Sequence, residues 1–581
     1  MLNTEMTLGS APLLRQHGQV FRKFLIAALL ALVGSSLAVP GDVAAASTQT
    51  RYVDPGGSDA AAGSAENPWR TLQHAVDSVD PGATIVVNPG SYAGMRIERS
   101  GAPGAWIRLV AAEPGTAAIT GPGPNNRHDS SVEIETWDGN GTVSYWVIAG
   151  FDVSFAPNWG IDVRGNAENH SHHIIVRDNY LEGNGIDSIK SGIFFAFTDH
   201  VWVMRNESIY NGEHGIYLSN SGDHFVVRDN SLAQNQRCGL HMNGDLSQGG
   251  DGKISHGLVD GNEIDANGAQ GCAGINMDGV TDTVVSNNLI TANRGSGITL
   301  FKQDGAVCSR RNQIINNTVL QADDGRWGLV VGGTGCRDNL VRNNIFLTEH
   351  AFRGAIEMPT ATIPGFDSDY NIVADRFTTD DGDSIGNLAD WQAATGQDAH
   401  SIVATIGDMA FDQFSRPQPG GVAEDAGVMV ATDHSLHGVA RPSGAGFDIG
   451  AHESPYCEGL RATVLGTRAA ESLSGTAGDD VIVGLGGNDY LEGSGGNDTI
   501  CGGDGRDRLR GGAGSDLIRG GRGSDLIIGG PGDDWLYGNR GNDTLEGRGG
   551  DDYIRGGSGE DAADGGPRQD DCRAETRVNC E

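Results

Sequence analysis

Lys190, His214, Tyr217, Arg237 and His241 are residue types able to move a proton beside a carboxylate, and they recur at one fixed place in the sequence. Three short alternating runs open on glycine: GIFFAF at 192, GIYLSN at 215 and GLHMNG at 239. Lys190, Glu213, His214 and Arg237 stand one or two residues before these glycines, and Tyr217 and His241 stand two after. Cleaving or inverting a uronate at C5 needs a cation on the carboxylate, a base for the C5 proton and, for a lyase, an acid at the glycosidic oxygen. The five residues offer such groups, with Asp162, Glu213 and Asp278 as carboxylates for a calcium ion. A second series repeats every nine residues: Asp480, Asp489, Asp498, Asp507, Asp516, Asp525, Asp534, Asp543, Asp552 and Asp561. Each supplies a hard anionic oxygen among glycines that bring backbone carbonyls close to a shared centre.

The elements that must carry the first set are themselves periodic. Eight short apolar lines align on Asn179, Asn206, Asn230, Asn262, Asn288, Asn317, Asn344 and Asn371, at intervals of 27, 24, 32, 26, 29, 27 and 27. Between them fall glycine-led alternating runs at 160, 192, 215, 239, 274, 297, 328 and 354. Two landmarks that alternate with such a period predict coils of a solenoid with parallel strands, a parallel β-helix. Stacking then places equal positions about 4.8 Å apart, so the asparagines share amide hydrogen bonds up the stack. The outward columns read Asp162, Phe194, Tyr217, His241, Asn276, Thr299 and Arg164, Ala196, Ser219, Asn243, Asp278, Phe301, a polar and aromatic strip suited to an anionic sugar chain. His173, His200, His224 and His256 each precede a ladder asparagine by six residues. They march along an axis instead of converging on a point, which predicts a stacked ladder, not a metal centre.

From Gly475 to Asp564 the tail divides into ten uninterrupted nonapeptides, with Asp at the sixth position and Ile or Leu at the eighth in all but the last. With 18 acidic and 8 basic residues, a net of −10, this segment is disordered by composition unless a cation neutralises it. The whole chain carries −36, which excludes nucleic acid as a partner of its general surface. Its 90 glycines lack the Gly-X-Y period of collagen. Arg15, Arg22 and Lys23 ahead of the apolar run from Phe24 to Val33, with Ala44 and Ala46 after it, read as an export signal cleaved after Ala46. The run is too short to span a bilayer, and no other stretch is long enough. A secreted, extracellular chain lets the eight cysteines form disulfides. Cys238 and Cys272 fall at near-equivalent points of neighbouring coils, Cys308 and Cys336 both precede an Asn-Asn line, and Cys572 and Cys580 bracket the end. Cys457 and Cys501 remain for each other.

The tail resembles the RTX calcium-binding repeats, G-G-x-G-x-D-x-U-x, and the resemblance implies calcium held between unit n and unit n + 2. The middle resembles the right-handed β-helix superfamily of pectate lyases, mannuronan epimerases and periplasmic copper-assembly-type repeat proteins. Its opening, YVDPGGSD with NPWRTLQHAVDSVDPGATIVVNPGSYAG, and its closing line GFDIGAHE resemble secreted members. Leu72, Ala75, Val76 and Val79 predict an amphipathic helix with Asn67 as cap and Pro68 in its first turn. The expected fold is all-β, a right-handed parallel β-helix followed by a calcium-binding parallel β-roll. The domains are 1–46 signal, 47–82 strand and capping helix, 83–455 β-helix, 456–474 linker, 475–564 roll and 565–581 tail. Domain order resembles that of epimerases with RTX units, yet the Asp-Pro-His line of epimerases is missing. GIDSIKSGIF does not match the Asp-Gly-Phe-x-x-Lys context of calcium-assisted pectate lyases, and no coil shows the close carboxylate pair of galacturonan hydrolases. The expected function is a monomeric, calcium-binding lyase or C5-epimerase acting on acidic polysaccharide. The alternative is a non-catalytic glycan-binding surface or matrix protein on a calcium-set stalk.

Overall fold

The computed structural model describes residues 49–580 apart from 137, 138, 140, 412–414, 418–420, 437, 438, 440, 444, 445, 459 and 468. The export signal lies outside the described residues. Three long parallel sheets of 12, 11 and 12 strands wrap one core. Each coil gives one strand to each sheet: Ser171–Arg177 belongs to the first, Tyr180–Glu182 to the third and Ile193–Ala196 to the second. Strands are short because the chain turns every few residues, and their inward residues (Ile161, Val163, Ile193, Phe195, Ile216, Leu240, Ile275, Ile298) are buried in one continuous core.

In the successive coils of the middle region the turn from the first sheet to the third passes through one left-handed residue, such as Asp178, Arg205, Asp229, Asn287, Asn316 or Asn343, with φ of 51 to 57°. The corner tilts backbone groups out of the sheet ladders, and the next residue satisfies them. Asn179 Nδ2 donates to Ile148 O (3.2 Å) and to Asn206 Oδ1 (3.0 Å), while Asn206 Oδ1 also accepts from Asn179 N (3.2 Å). The same bonds recur at each step up to Asn344, whose Nδ2 and N both reach Asn371 Oδ1. A second ladder, which the sequence reading missed, runs through Asn184, Asn211, Asn235, Asn267 and Asn293 at the next corner. Its signal was present, since each member follows a first-ladder asparagine by five residues.

The histidine ladder forms as expected. His173, His200, His224 and His256 stack with centroids 4.8, 4.7 and 5.1 Å apart and planes within 9°, and Tyr145 stacks on His173 at 4.6 Å. The opening helix is shorter than expected. It spans Leu72–Ser78 with Thr71 as cap, its hydroxyl accepting from His74 N. Asn67 and Pro68 stay outside because Trp69 pairs with the first strand, donating to Tyr52 O and accepting from Asp54 N at 2.9 Å each. Leu72, Ala75, Val76 and Val79 are buried as the spacing required.

The roll has two seven-stranded parallel sheets, one nonapeptide per strand, running from Val464 to Val578. Strands Val464–Leu465 and Ser472–Ser474 precede the ten units, and Asp571–Arg573 and Thr576–Val578 follow them. The interior is a single file of eighth-position residues from Ile482 to Ile554, ending in Ala563 and Cys572. All four expected disulfides are present, with Cα separations of 4.9 Å (Cys238–Cys272), 4.7 Å (Cys308–Cys336), 6.0 Å (Cys457–Cys501) and 5.7 Å (Cys572–Cys580).

Candidate functional site

The second sheet positions the strip. Strand register puts Asp162, Phe194, Tyr217, His241, Asn276 and Thr299 in one column and Arg164, Ala196, Ser219, Asn243, Asp278 and Phe301 in the next. Lys190, Glu213 and Arg237 each stand two residues before a landmark glycine, on successive coils, so a carboxylate lies between two cations. Glu213 Oε1 is 3.8 Å from an Arg237 terminal nitrogen and 3.7 Å from His214 Nε2, and Ser191 Oγ donates to its other oxygen at 3.3 Å. Burial raises the Glu213 carboxyl above its ordinary range, against the pull of Arg237 and Lys190. The structure holds Lys190 with its ammonium 4.5 Å from the Trp159 ring centroid, and Arg164 lies over the same ring at 4.6 Å.

The two histidines stack at 4.6 Å, and Tyr217 packs 4.7 Å from His241. Cys238 N donates to His214 Nδ1 (3.1 Å) and Asn276 Nδ2 to His241 Nδ1 (2.9 Å), so each imidazole carries its proton on Nε2. Burial, then the neighbouring His241 and Arg237, holds His214 well below the usual imidazole range; burial and Arg237 bring His241 to about 3. Both are therefore neutral hydrogen-bond donors at physiological pH. Burial raises Tyr217, which stays a phenol. A cleft of about 420 Å³ is lined by Glu213, His214, Tyr217, Arg237, His241 and Asn276. Through Cys272, Asn276, Phe301 and Gln303 it runs into a second of about 480 Å³ that carries Arg326, Trp327, Phe352, Arg353 and Glu357. The result is a groove along the coil axis.

Asp162, Glu213 and Asp278 do not converge as calcium ligands. Asp162 and Asp278 lie four strands apart, roughly 19 Å at the usual strand spacing. Asp278 is already occupied by the backbone N–H groups of Gln303, Asp304 and Gly305. Asp162 belongs instead to a buried group with Glu133 and Glu135. Alternation places both glutamates on the outer face of strand Val132–Ile134 and its next residue, and register sets Glu133 against Asp162. The signal was SVEIET one coil before GIDVR. Arg164 Nε bonds Asp162 at 2.8 Å, Arg127 pairs with Glu135 at 3.3 Å, and the N–H groups of Arg127 and His128 donate to Glu133 at 2.9 Å. All three carboxylates are buried, which removes them from contact with a polymer.

In the roll the sixth-position aspartates from Asp498 onward use Oδ1 to accept from the Asp N–H eighteen residues earlier, Asp498 from Asp480 and Asp516 from Asp498 at 2.8 to 2.9 Å, while Asp489 Oδ1 accepts from Glu471 N. Oδ2 of Asp489, Asp498, Asp507, Asp516, Asp525, Asp534, Asp543, Asp552 and Asp561 is buried with no protein partner. Those oxygens face the first glycine of their own unit; a Cβ on Gly493 would lie 2.1 Å from Asp498 Oδ2. Gly505, at φ 143°, lets the carbonyl of Gly487 approach to 1.6 Å of where a Cβ would be. An orphaned carboxylate oxygen beside stacked carbonyls is a hard-cation donor set. Burial, reinforced by the charges of the neighbouring roll aspartates, pushes Asp525 and Asp534 up to about 7, the cost of leaving such an oxygen unpaired. Asp480 departs from the series, since Thr476 N and Oγ1 occupy its Oδ2 at 2.6 and 2.9 Å. Asp570 joins it with a buried, unpartnered Oδ2. Sequence reading stopped at Asp564 because GGPRQDDCR puts Arg at the fourth position and Cys at the eighth, yet its sixth residue keeps the phase.

The comparisons with known proteins agree with this architecture. Residues 51–228 match a family described as Pel9A-like, right handed beta helix region, and 465–500, 502–536 and 528–563 match the RTX calcium-binding nonapeptide repeat. The chain is a right-handed parallel β-helix joined to an RTX β-roll. Residues 140–353 of the β-helix also match the family described as periplasmic copper-binding protein (NosD). A pectate lyase of Emericella nidulans, PEL9, is 27% identical over 206 residues, 34% of this chain and 48% of that one. The chain thus spans about half the length of that curated relative. The uncharacterized protein YwoF of Bacillus subtilis is 25% identical over 331 residues, 51% of this chain and 67% of its own. Among solved structures, pectate lyase Pel9A is similar at 16% identity and a TM-score of 0.47, covering 71% of this chain and 98% of its own. A mannuronan C-5 epimerase A-module of Azotobacter vinelandii has a TM-score of 0.31 at 16% identity, covering 47% and 88%.

Proposed function

We propose that this protein is an exported, calcium-binding enzyme that acts on an acidic polysaccharide in the groove of the second sheet, as a lyase or C5-epimerase. The observation that carries the reading is Glu213, a carboxyl raised by burial, set between Lys190 and Arg237 and facing a cluster of neutral proton donors. Arg237 and Lys190 neutralise the uronate carboxylate, which acidifies the C5 proton. Glu213 accepts that proton. In a lyase the C5 electron pair forms the C4=C5 double bond as the C4–O bond breaks, and the Tyr217 hydroxyl or His241 Nε2–H protonates the departing oxygen. In an epimerase the same donor returns a proton to C5 from the opposite side. His214 holds the backbone of Cys238 and contributes a second Nε2–H to the wall. Phe301, which lines both clefts, supplies flat apolar surface for a sugar ring along the groove.

Calcium fits the roll, where the orphaned oxygens of the aspartates from Asp489 to Asp570 would hold it and its charge would neutralise theirs. The pairing of all eight cysteines and the absence, among the described residues, of a helix able to cross a membrane accord with an exported chain. The test is a screen of polygalacturonate, alginate and related polymers for ultraviolet absorbance of unsaturated uronates, with NMR for inversion at C5. Release of either product that disappears in Glu213→Gln supports the reading. Tight polymer binding without product from any substrate moves the protein to the non-catalytic alternative.

A further inference from the structure

Asn276 stands in register with His241, one strand further along the outward column of the second sheet. It is half-buried, and its Nδ2 lies 2.9 Å from His241 Nδ1. His214 makes the matching contact with a backbone group, the Cys238 N–H at 3.1 Å. An amide nitrogen only donates, so both Nδ1 atoms are acceptors and both rings carry their hydrogen on Nε2. The two locks differ in kind. The main chain holds the His214 tautomer, whereas the His241 tautomer is set by one side chain, that of Asn276.

Both rings line the cleft, stacked at 4.6 Å with planes 25° apart. Neither Nε2 makes a hydrogen bond among the described residues; Glu213 Oε1 stands 3.7 Å from that of His214, outside bonding range. Two N–H donors are thus left open on the cleft, beside the carboxyl that serves as base in the proposed reaction and the Arg237 guanidinium that pairs with it.

We infer that the stacked pair His214–His241 is a fixed two-donor clamp for the carboxylate of the uronate under attack, and that Asn276 is the positioning residue that keeps His241 a donor. The inference rests on the reading of the groove as a uronate-processing site. When the C5–H bond breaks, its proton passes to Glu213 and its electron pair moves onto the carboxylate, whose oxygens then share an extra negative charge. Neutral donors already set where that charge develops stabilise it without reorganising. A neutral imidazole suits this task, because it polarises an oxygen while keeping its own proton. In a lyase the acid at the departing oxygen is then Tyr217, packed 4.7 Å from His241. The electron pair returns to form C4=C5 as C4–O breaks, and exchange with solvent resets Glu213 and Tyr217.

The test is Asn276→Asp in the full chain with calcium, its histidine ring nitrogens isotope-labelled. The substitution keeps the side chain's shape but offers Nδ1 an acceptor, so NMR should show the His241 proton moved from Nε2 to Nδ1, with His214 unchanged as internal reference. Turnover of polygalacturonate or alginate should fall about a hundredfold in kcat, the usual weight of one oxyanion donor, with KM near the parent value. As pH falls and the ring takes a second proton, Nε2 donates again, so the ratio of variant to parent kcat should climb. Glu213, His214, Tyr217, Arg237, Asp278 and Asp304 share the cleft with His241 in both proteins, and only the new carboxylate differs. Asn276→Ala, which leaves Nδ1 without a partner of either kind, should fall between the two and carries the same comparison if the aspartate variant does not fold. A proton that stays on Nε2 in Asn276→Asp, or one that moves with kcat unchanged, overturns the inference. A parent without turnover sinks the enzymatic reading alone. The donor pair is then read by binding of oligogalacturonate and oligomannuronate: affinity lost in Asn276→Asp at an unchanged melting temperature supports the clamp, and affinity equal to the parent's overturns it.

Discussion

Replacing Asn230 by alanine strikes the stack where its bonding is most completely resolved. Asn230 is 1% exposed. Its Oδ1 accepts from Asn206 N at 2.9 Å and Asn206 Nδ2 at 3.0 Å; its Nδ2 donates to Val203 O at 2.8 Å and Asn262 Oδ1 at 2.9 Å. Two of these partners keep another bond, since Asn206 Nδ2 still reaches Val176 O and Asn262 Oδ1 still accepts from Asn230 N. The Val203 carbonyl also keeps its ladder bond from the Arg228 N–H, so the group stranded in the dry interior is the Asn206 N–H. At about 1–3 kcal/mol for a stranded group the loss is about 2 kcal/mol, concentrated in two coils. Thermal unfolding and amide exchange should both register it, with faster exchange confined to coils near 203–230 and 262. A drop below about 1 kcal/mol with uniform exchange would refute the claim that the ladders, rather than the apolar core alone, hold the corners.

Other outcomes are equally specific. Chelating calcium from the full chain should remove the roll's share of the β circular dichroism and leave that of the β-helix; an unchanged spectrum contradicts the cation role of the orphaned Oδ2 atoms. Burial, then His200 and His172, lowers His173 to about 4, so the folded state favours the neutral ring and its contribution is complete above the unfolded value of about 6.5. The melting temperature should therefore fall as pH drops from about 6.5 towards 4, and less steeply in His173→Phe. Lys190→Ala with His241→Ala should cut glycan binding or turnover at unchanged melting temperature, whereas His224→Ala, in the stacked ladder, should lower the melting temperature and spare affinity. Cys457→Ser with Cys501→Ser should expose the segment between β-helix and roll to limited proteolysis without loss of turnover.

The features readable from sequence are those that repeat. A one-residue error in register would send Tyr217 and His241 inward, yet the glycine landmarks fixed the register and the structure keeps both columns. The asparagine intervals gave the coils for the same reason, and the pairs Cys238–Cys272 and Cys308–Cys336 followed from them. What escaped depends on contacts across coils. The Nδ1 atoms of His214 and His241 are occupied by Cys238 N and Asn276, and only the stack reveals that these rings are donors. Asp162 matched a calcium ligand by type, but Arg164 and the buried Glu133 and Glu135 claim its surroundings. Asp480 fits the nonapeptide pattern and fails on a hydroxyl four residues away, Thr476, which no periodicity exposes.

Glu213 is the residue on which the enzymatic account turns, so the most direct measurement is product formation from polygalacturonate and alginate by the parent and Glu213→Gln at equal polymer saturation. The substitution removes the proton acceptor and keeps the side chain's size and its contact with Ser191. The account predicts unsaturated or C5-inverted uronates from the parent and a loss of at least about a hundredfold in kcat, with KM near the parent value. Equal kcat in the two proteins would contradict it.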